Sequence, residues 1–328
     1  MPELLYLSQK DVADVALPLS EVIELVAFAL SEKAHGRVEM PPKPGVHPLA
    51  GALLHAMPAW VERAGACGIK WVSAFPGNKA RGLPSINGLI IVNDPTTGLA
   101  QAVLDATWIT TVRTAASSAV AARALARPDS KVMAVLGAGV QGRANVAALQ
   151  QVLPRLQLIR VYAPRRETLE RYKQDVEREY NIQVKAVMSA QEAVRDADVI
   201  ITAAPWPMVT GVAPIKSEWL SKDVFACALD FDASFTAEAV ASFDQRFTDD
   251  PATMIYYRNA GFFAAWPTDV QELAAVVAGL KPDRQERLSS KPERILTVNL
   301  GLGIYDLVVA RRVIERAREQ GRGTRLSL

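Results

Sequence analysis

A single lysine interrupts an otherwise apolar, β-prone run, Gly68-Ile69-Lys70-Trp71-Val72. Its ammonium must either emerge on a special face or be partly desolvated. Desolvation disfavours the charged form, so such a lysine exchanges a proton near neutrality or grips a carboxylate. The competing reading is a lysine on a solvated sheet edge. Arg113 sits among small residues on successive turns, Thr110-Thr111-Val112-Arg113-Thr114-Ala115-Ala116-Ser117-Ser118-Ala119. Close helix packing there would enclose the guanidinium, and an enclosed guanidinium needs an anion. A bidentate fork to a substrate carboxylate satisfies that need, and so does an internal salt bridge to Asp105, which is near in sequence. Asp230 and Asp232 follow the β-prone run Val224 to Leu229. If that run belongs to a parallel sheet, they stand at its carboxyl end, where α/β proteins place ligands and where a carboxylate can act as acid or base. For one of the two, turn or capping chemistry is the alternative.

A second constellation is contiguous. Gly137-Ala138-Gly139-Val140-Gln141-Gly142 closes the apolar hexamer Lys131 to Leu136 and opens a helix-compatible run from Arg143 to Leu153. This is the strand-turn-helix context of a dinucleotide fingerprint. Gly137 permits the tight turn, Gly139 lets the backbone approach a pyrophosphate, and Gly142 lets helix and strand pack closely. The helix N-terminus offers free N–H groups to the phosphates. The alternative is a glycine-rich turn with no ligand. At the end of the next β-prone run the chain reads Val161-Tyr162-Ala163-Pro164-Arg165-Arg166. NAD enzymes present an acid to the ribose hydroxyls there. None is present, and two arginines suit a 2′-phosphate, so NADP(H) is favoured over NAD(H); the alternative is a solvated basic helix start.

These residues need scaffolds. At 328 residues and 50% hydrophobic, the chain is long enough for two domains. The fingerprint begins only at Gly137, so a first domain must precede it, and that domain should hold the substrate. An amphipathic helix is expected over Ser20 to Lys33, with Ser20 as its N-cap. A Pro-rich loop from Arg37 to Pro48 follows. Short strands are expected at Gly51 to Pro58, Ala66 to Ser73, Gly88 to Asn93 and Leu99 to Leu104. A long helix capped by Thr107 or Thr110 should reach Ala126. Beyond the fingerprint, Leu158 to Tyr162, Val184 to Met188, Val199 to Ala203 and Val224 to Leu229 alternate with helical stretches, the pattern of a parallel sheet covered on both faces. A final helix, Ile304 to Gln320, is too apolar for a free tail and should dock back on the first domain. The expected fold is thus α/β: an α+β substrate-binding and dimerisation domain from 1–126 with 304–328, and a Rossmann domain from 127–303. The basic C-terminal end reads as low-complexity tail.

Charge excludes some partners. With 37 basic and 35 acidic residues, net charge is +2, too balanced for nucleic acid or an anionic membrane as the main partner. No apolar run spans a bilayer and the N-terminus lacks a basic n-region, so a cytoplasmic location is expected. Cys67, Cys227 and the three histidines show no metal-ligand spacing, so neither a disulfide nor a metal site is expected.

Taken together, His55-Ala56-Met57-Pro58-Ala59, Gly68 to Ser73, Arg113-Thr114-Ala115-Ala116 and the Gly137–Gly142 fingerprint resemble the ornithine cyclodeaminase/mu-crystallin family in order and spacing. The likeness extends to Glu218-Trp219-Leu220 and to Asn299 through Asp306. It implies a homodimer, with the first domain and the last helix forming the interface and holding a small amino, imino or oxo acid opposite the nicotinamide. It also implies roles: Lys70 as the catalytic lysine, Arg113 as the carboxylate-binding arginine, Lys43 in support of the same carboxylate, and Met57 lining the pocket. The cofactor side would comprise Thr114, Gly137, Gly139, Val140, Gln141, Gly142, Arg165, Arg166, Ala203, Asn299, Gly301 and Gly303. Many relatives carry Gly-x-Asp then Pro-Gly-Lys where this chain has Ala228-Leu229-Asp230-Phe231-Asp232. Distance from the strand favours Asp230 as acid/base, whereas distance to Glu238 would favour Asp232. The implied activity is an NAD(P)H-dependent imine or ketimine reductase or amino-acid dehydrogenase. The alternatives are an ornithine or lysine cyclodeaminase and an NADPH-binding protein without turnover.

Overall fold

The computed structural model describes residues 3–204, 214–286 and 291–328. It divides into two compact units, Met1–Arg113 with Gly301–Leu328, and Thr114–Leu300. The first division falls inside one helix, Thr107–Leu125, which is why the punctuation at Arg127-Pro128 pointed further along the chain. The second falls at Gly301, two residues before the final helix, Gly303–Glu319.

The first unit is α+β. Its sheet runs, in spatial order, Thr324–Ser327, Glu3–Leu7, Ala100–Asp105, Ile86–Asn93, Ala66–Ala74, Leu53–Val61 and Val38–Glu39, with Gly45–Val46 also paired to Leu53–Val61. Neighbours are antiparallel except Glu3–Leu7 and Ala100–Asp105, which are parallel. The four strands expected from alternation are present within a few residues. Four others were not expected: Glu3–Leu7; the two-residue strands Val38–Glu39 and Gly45–Val46, which lie within the stretch expected as a Pro-rich loop; and Thr324–Ser327, which corrects the reading of the C-terminal end as a tail. Every residue of Thr324–Ser327 is exposed, so no alternation marks it, and its strand identity comes from antiparallel pairing with Glu3–Leu7.

The final helix packs on one face of this sheet, with a further helix against it. Leu19–Ala34 buries Val22, Ile23, Val26 and Leu30 at helical spacing. Its N-cap is Pro18, not Ser20; proline's fixed φ starts the helix without a side-chain cap, and Ser20 lies in the first turn. Gly303–Glu319 packs against that helix and on the strands Leu53–Val61, Ala66–Ala74 and Ile86–Asn93. Ile304 through Ala310 are all buried, as an internal helix requires. The other sheet face leaves Trp71 and Leu89 exposed, at 41% and 45%.

The second unit is a parallel sheet. Its order is Gln183–Ala186, Leu158–Tyr162, Val132–Leu136, Val199–Thr202, Val224–Ala228, Arg294–Val298, Gln245–Thr248 and Gln271–Glu272, with every pairing parallel. From Val132–Leu136 the chain steps outward twice in one direction, then returns to place Val199–Thr202 on the other side. That reversal is the switch point at which doubly wound sheets bind ligands. Central strands such as Val199–Thr202 and Val224–Ala228 are buried at every position, the signature of a sheet covered on both faces. Among the described residues no helix is long and apolar enough to cross a membrane.

Candidate active site

Strand pairing sets the first cluster. Lys70 lies directly across from Met57 on one neighbour and Ile90 on the other. All three point to the face under the helix Gly303–Glu319, and Lys70 is wholly buried, with Met57 at 4% and Ile90 at 0% exposure. A lysine in such a row needs a counter-charge. It comes from Asp306, itself fully buried in the first turn of that helix, where an acid also suits the helix dipole. Lys70 Nζ stands 2.7 Å from Asp306 Oδ1, and Arg113 Nε donates to the same oxygen at 3.0 Å. The lysine contact is close but poorly aligned. Neither Lys70 Nζ nor Asp306 Oδ2 has a hydrogen-bond partner among the described residues.

Two buried cations, Lys70 and Arg113, share one oxygen of Asp306. Lys43, 7% exposed, lies close enough to add repulsion at Lys70. Burial first, and then the Arg113 guanidinium, pull Lys70 down to about 7 against the opposing pull of Asp306. His55 adds no charge, since burial and Lys43 hold it near 4. Two buried cations on one carboxylate, with an ammonium that lacks a hydrogen-bond partner among the described residues, can accommodate a further anion.

The glycines leading into the helix serve this cluster. Gly301 has φ +74°, and a Cβ there would overlap Arg113 Nη1 and lie 3.2 Å from its Cζ. At Gly303 a Cβ would be 2.9 Å from the Met57 carbonyl oxygen. Both therefore have a packing reason in the first unit, distinct from the cofactor role expected for them.

The second unit supplies the dinucleotide cradle. Gly137 takes φ +118°, and Gly139 and Val140 are exposed at the start of the helix Val140–Val152. A Cβ on Gly139 would meet nothing within 4 Å, leaving open space before the helix N-terminus, whereas one on Gly142 would overlap the Gly137 carbonyl. Tyr172 Oη donates to the Gly142 carbonyl at 2.9 Å and pins this turn from below. Gln141 Oε1 is buried without a partner among the described residues. Free amides, open space and close helix packing fit a pyrophosphate. Arg165 and Arg166 are exposed at the start of the helix Arg166–Tyr180 and form no ion pair among the described residues. Asn299 is buried, donating to Ser117 Oγ at 3.2 Å and accepting from Thr297 Oγ1 at 2.9 Å. The Thr114 carbonyl accepts from the Ser117 hydroxyl at 2.8 Å.

The two aspartates differ. Asp230 is 1% exposed and accepts from Thr202 Oγ1 at 2.5 Å, Ser234 Oγ at 2.7 Å and the Ala204 amide at 2.9 Å. Burial pushes its carboxyl above the usual range while those donors pull it back. Asp232 accepts from the Phe263 amide at 2.7 Å, tying its loop to the one after the helix Pro251–Asn259.

Lys43, Met57, Lys70 and Arg113, singled out in the first unit, thus come together, and the buried carboxylate between Lys70 and Arg113 that sequence reasoning missed is Asp306. The acid near Arg113 in sequence, Asp105, instead accepts from the Thr107 amide at the helix start. The available signal was the same one that exposed Lys70: Asp306 is the lone charge in Ile304 to Ala310.

The model of the ornithine cyclodeaminase/mu-crystallin family matches residues 4–321. The nodulation efficiency protein NfeD of Rhizobium meliloti is 31% identical over 322 residues, covering 98% of each chain. The Δ1-pyrroline-2-carboxylate reductase of Thermococcus litoralis, solved with NADH and L-proline, aligns with a TM-score of 0.87 at 30% identity, over 98% of this chain and 99% of that one. An archaeal alanine dehydrogenase, solved as a dimer with bound NAD, aligns with a TM-score of 0.87 at 29% identity over 99% of both chains.

Proposed function

The chain belongs to the ornithine cyclodeaminase/mu-crystallin family, and from that premise we propose that it is an NAD(P)H-dependent oxidoreductase. Its substrate is a small 2-imino acid, reduced at the carbon alpha to the carboxylate, or in reverse the corresponding amino acid. One observation carries the reading: Lys70 and Arg113 are buried on a single oxygen of Asp306 with Lys43 close enough to repel the lysine, and a substrate carboxylate supplies a second negative charge there.

In this reading Arg113 and Lys43 hold and orient the substrate carboxylate. When bound, the nicotinamide supplies the hydride. Lys70 gives its proton to the imine nitrogen as the alpha carbon takes the hydride, so C=N becomes CH–NH with charge and atoms balanced. Its depressed pKa, about 7, keeps both protonation states accessible at physiological pH. Burial of the cluster excludes water that would hydrolyse the imine.

A cyclodeaminase acting on ornithine or lysine must also hold a side-chain ammonium. The neighbours of Lys70 across the sheet, Met57 and Ile90, are apolar and suit a substrate with an apolar or cyclic side chain. Incubation with NADPH or NADH and a panel of cyclic imino acids, or 2-oxo acids with ammonia or methylamine, should consume the reduced cofactor and yield the amino acid by mass spectrometry. Ammonia release from a diamino acid with no net cofactor oxidation would replace this reading with the lyase. Tight NADPH binding with neither reaction would replace it with a binding protein.

We assign NADP(H) as the favoured cofactor, with NAD(H) the alternative, because Arg165 and Arg166 stand exposed, with no ion pair among the described residues, where an acid would select NAD. Arg165→Ala or Arg166→Ala should then weaken NADPH by about tenfold and NADH much less. Equal losses in fluorescence titrations with the two cofactors would sink the assignment. The exposed apolar sheet face of the first unit, with Trp71 and Leu89, suits burial against a second copy, and a homodimer in the cytoplasm completes the proposal.

A further inference from the structure

We propose that Asp230 is a positioning residue that clamps the peptide lying against the fingerprint turn, and that its carboxylate serves dinucleotide binding, not proton transfer. The inference rests on the dinucleotide reading above and concerns the second unit alone.

The fingerprint strand Val132–Leu136 and its neighbour Val199–Thr202 end side by side, and the Ala203 amide donates to the Leu136 carbonyl at 2.7 Å. The peptide between Ala203 and Ala204 then lies directly on Gly137. A Cβ at Gly137 would overlap the Ala203 carbonyl oxygen and come within 2.7 Å of its carbon and 3.2 Å of the Ala204 nitrogen. The shape of the Gly137 turn therefore depends on where that peptide sits. The peptide is held from the other side by Asp230: the Ala204 amide donates to Oδ2, and Thr202 Oγ1, one residue before the peptide, donates to Oδ1. Ser234 Oγ fixes the carboxylate itself, also through Oδ2.

The turn carrying Asp230 is built for that hold. Phe231, the next residue, has φ +60°, a conformation that disfavours an aromatic residue, and its ring is stacked on Phe263 at 5.6 Å and met edge-on by Tyr257 at 4.9 Å. Asp232 secures the Phe263 amide in turn. A carboxylate fed by three donors and 1% exposed would have to surrender one of those hydrogen bonds to carry a proton, whereas Lys70 has orphaned protons in a cationic cluster. Sequence position alone made the two look like equivalent candidates.

The test compares Asp230→Asn with Asp230→Ala in the full-length protein. Asn keeps one oxygen to accept from the Ala204 amide and the Ser234 hydroxyl, and the Thr202 hydroxyl can rotate to accept from its amide group. Ala leaves the buried Ala204 N–H unsatisfied. Titration of NADPH and NADH by fluorescence, with no substrate present, should show the dissociation constant raised about tenfold by Ala and no more than about threefold by Asn. In turnover the loss should fall on the cofactor KM, and the pH profile of Asp230→Asn should keep its limbs. Ser234→Ala, which leaves the carboxylate in place, should raise the cofactor dissociation constant in the same direction and keeps the test decisive if Asp230→Ala does not fold. Collapse of kcat in Asp230→Asn at saturating cofactor, with unchanged dinucleotide affinity, would overturn the proposal and restore Asp230 as acid/base. Unchanged affinity in both Asp230→Ala and Ser234→Ala would overturn it as well. Failure of the unsubstituted protein to bind either dinucleotide is a separate outcome, since it removes the reading on which the clamp rests.

Discussion

Lys70→Ala loses turnover by about a hundredfold or more while dinucleotide affinity is unchanged, because the group that moves the proton is gone and the fingerprint lies in the other unit. Lys70→Met gives nearly the same loss, and because methionine fills the buried space, that loss cannot be assigned to a cavity. Arg113→Ala fails differently: it removes an anchor used in ground and transition states alike, so substrate KM rises about tenfold or more with a smaller change in kcat. The pH dependence follows from the depressed lysine. With the free-enzyme pKa at about 7, imine reduction, which needs protonated Lys70, falls as pH rises through that value. Oxidation of the amino acid needs the neutral form and rises through the same value. Lysine to arginine at this position keeps the charge, cannot release its proton, and should flatten both limbs. Near-normal turnover in Lys70→Met on an identified substrate would refute the role assigned here.

How much of this was legible depends on whether the information was contiguous. The fingerprint was, because Gly137, Gly139 and Gly142 each answer a local backbone demand, visible as an open or closed space around a missing Cβ. The parallel sheet was too, since fully buried strands are apolar at every position and need no knowledge of their neighbours. Lys70 announced itself as one charge in an apolar run, but the sequence left open whether it was buried or at an edge. Only its pairing with Met57 and Ile90, under a helix from the far end of the chain, decides that. The docking of the last helix on the first unit was expected from its apolar run, but which side chains pair across the chain was illegible. Asp105 was the nearer acid to Arg113, yet Asp306 takes the guanidinium; and Thr324–Ser327, polar and exposed, becomes a strand only through Glu3–Leu7. The two aspartates after Val224–Ala228 show the same limit in the opposite sense. Their strand-end position was correctly placed, but whether a carboxylate there is open to substrate or filled by Thr202, Ala204 and Ser234 is a property of three segments at once.

Asp306→Asn is the substitution with the largest expected cost to the fold of the first unit. The side chain is fully buried and its Oδ1 faces both Lys70 and Arg113, so the neutral amide leaves two buried cations without a counter-ion. Breaking a buried pair in this way costs about 3–5 kcal/mol, which corresponds to a fall in melting temperature on the order of 10 °C. The deficit should depend on pH in a direction fixed by Lys70. A lysine whose folded pKa is depressed to about 7 binds fewer protons folded than unfolded between that value and 10.5, so stability rises with pH across the window. Without Asp306, which raises the Lys70 pKa, the window opens at lower pH, and the variant sheds the proton it can no longer compensate. The gap between the two proteins should therefore be widest at the acid end, below the variant's lowered Lys70 value, where Lys70 is charged in both, and narrower near pH 9, where it is neutral in both. A residual gap persists at pH 9 because the Arg113 guanidinium has lost its counter-ion, although the Asn oxygen can still accept its hydrogen bond. Thermal melts across that range, on both proteins, measure the difference directly. A deficit independent of pH would mean that Lys70 does not share its proton economy with Asp306, and would remove the physical basis for placing the proton donor at Lys70.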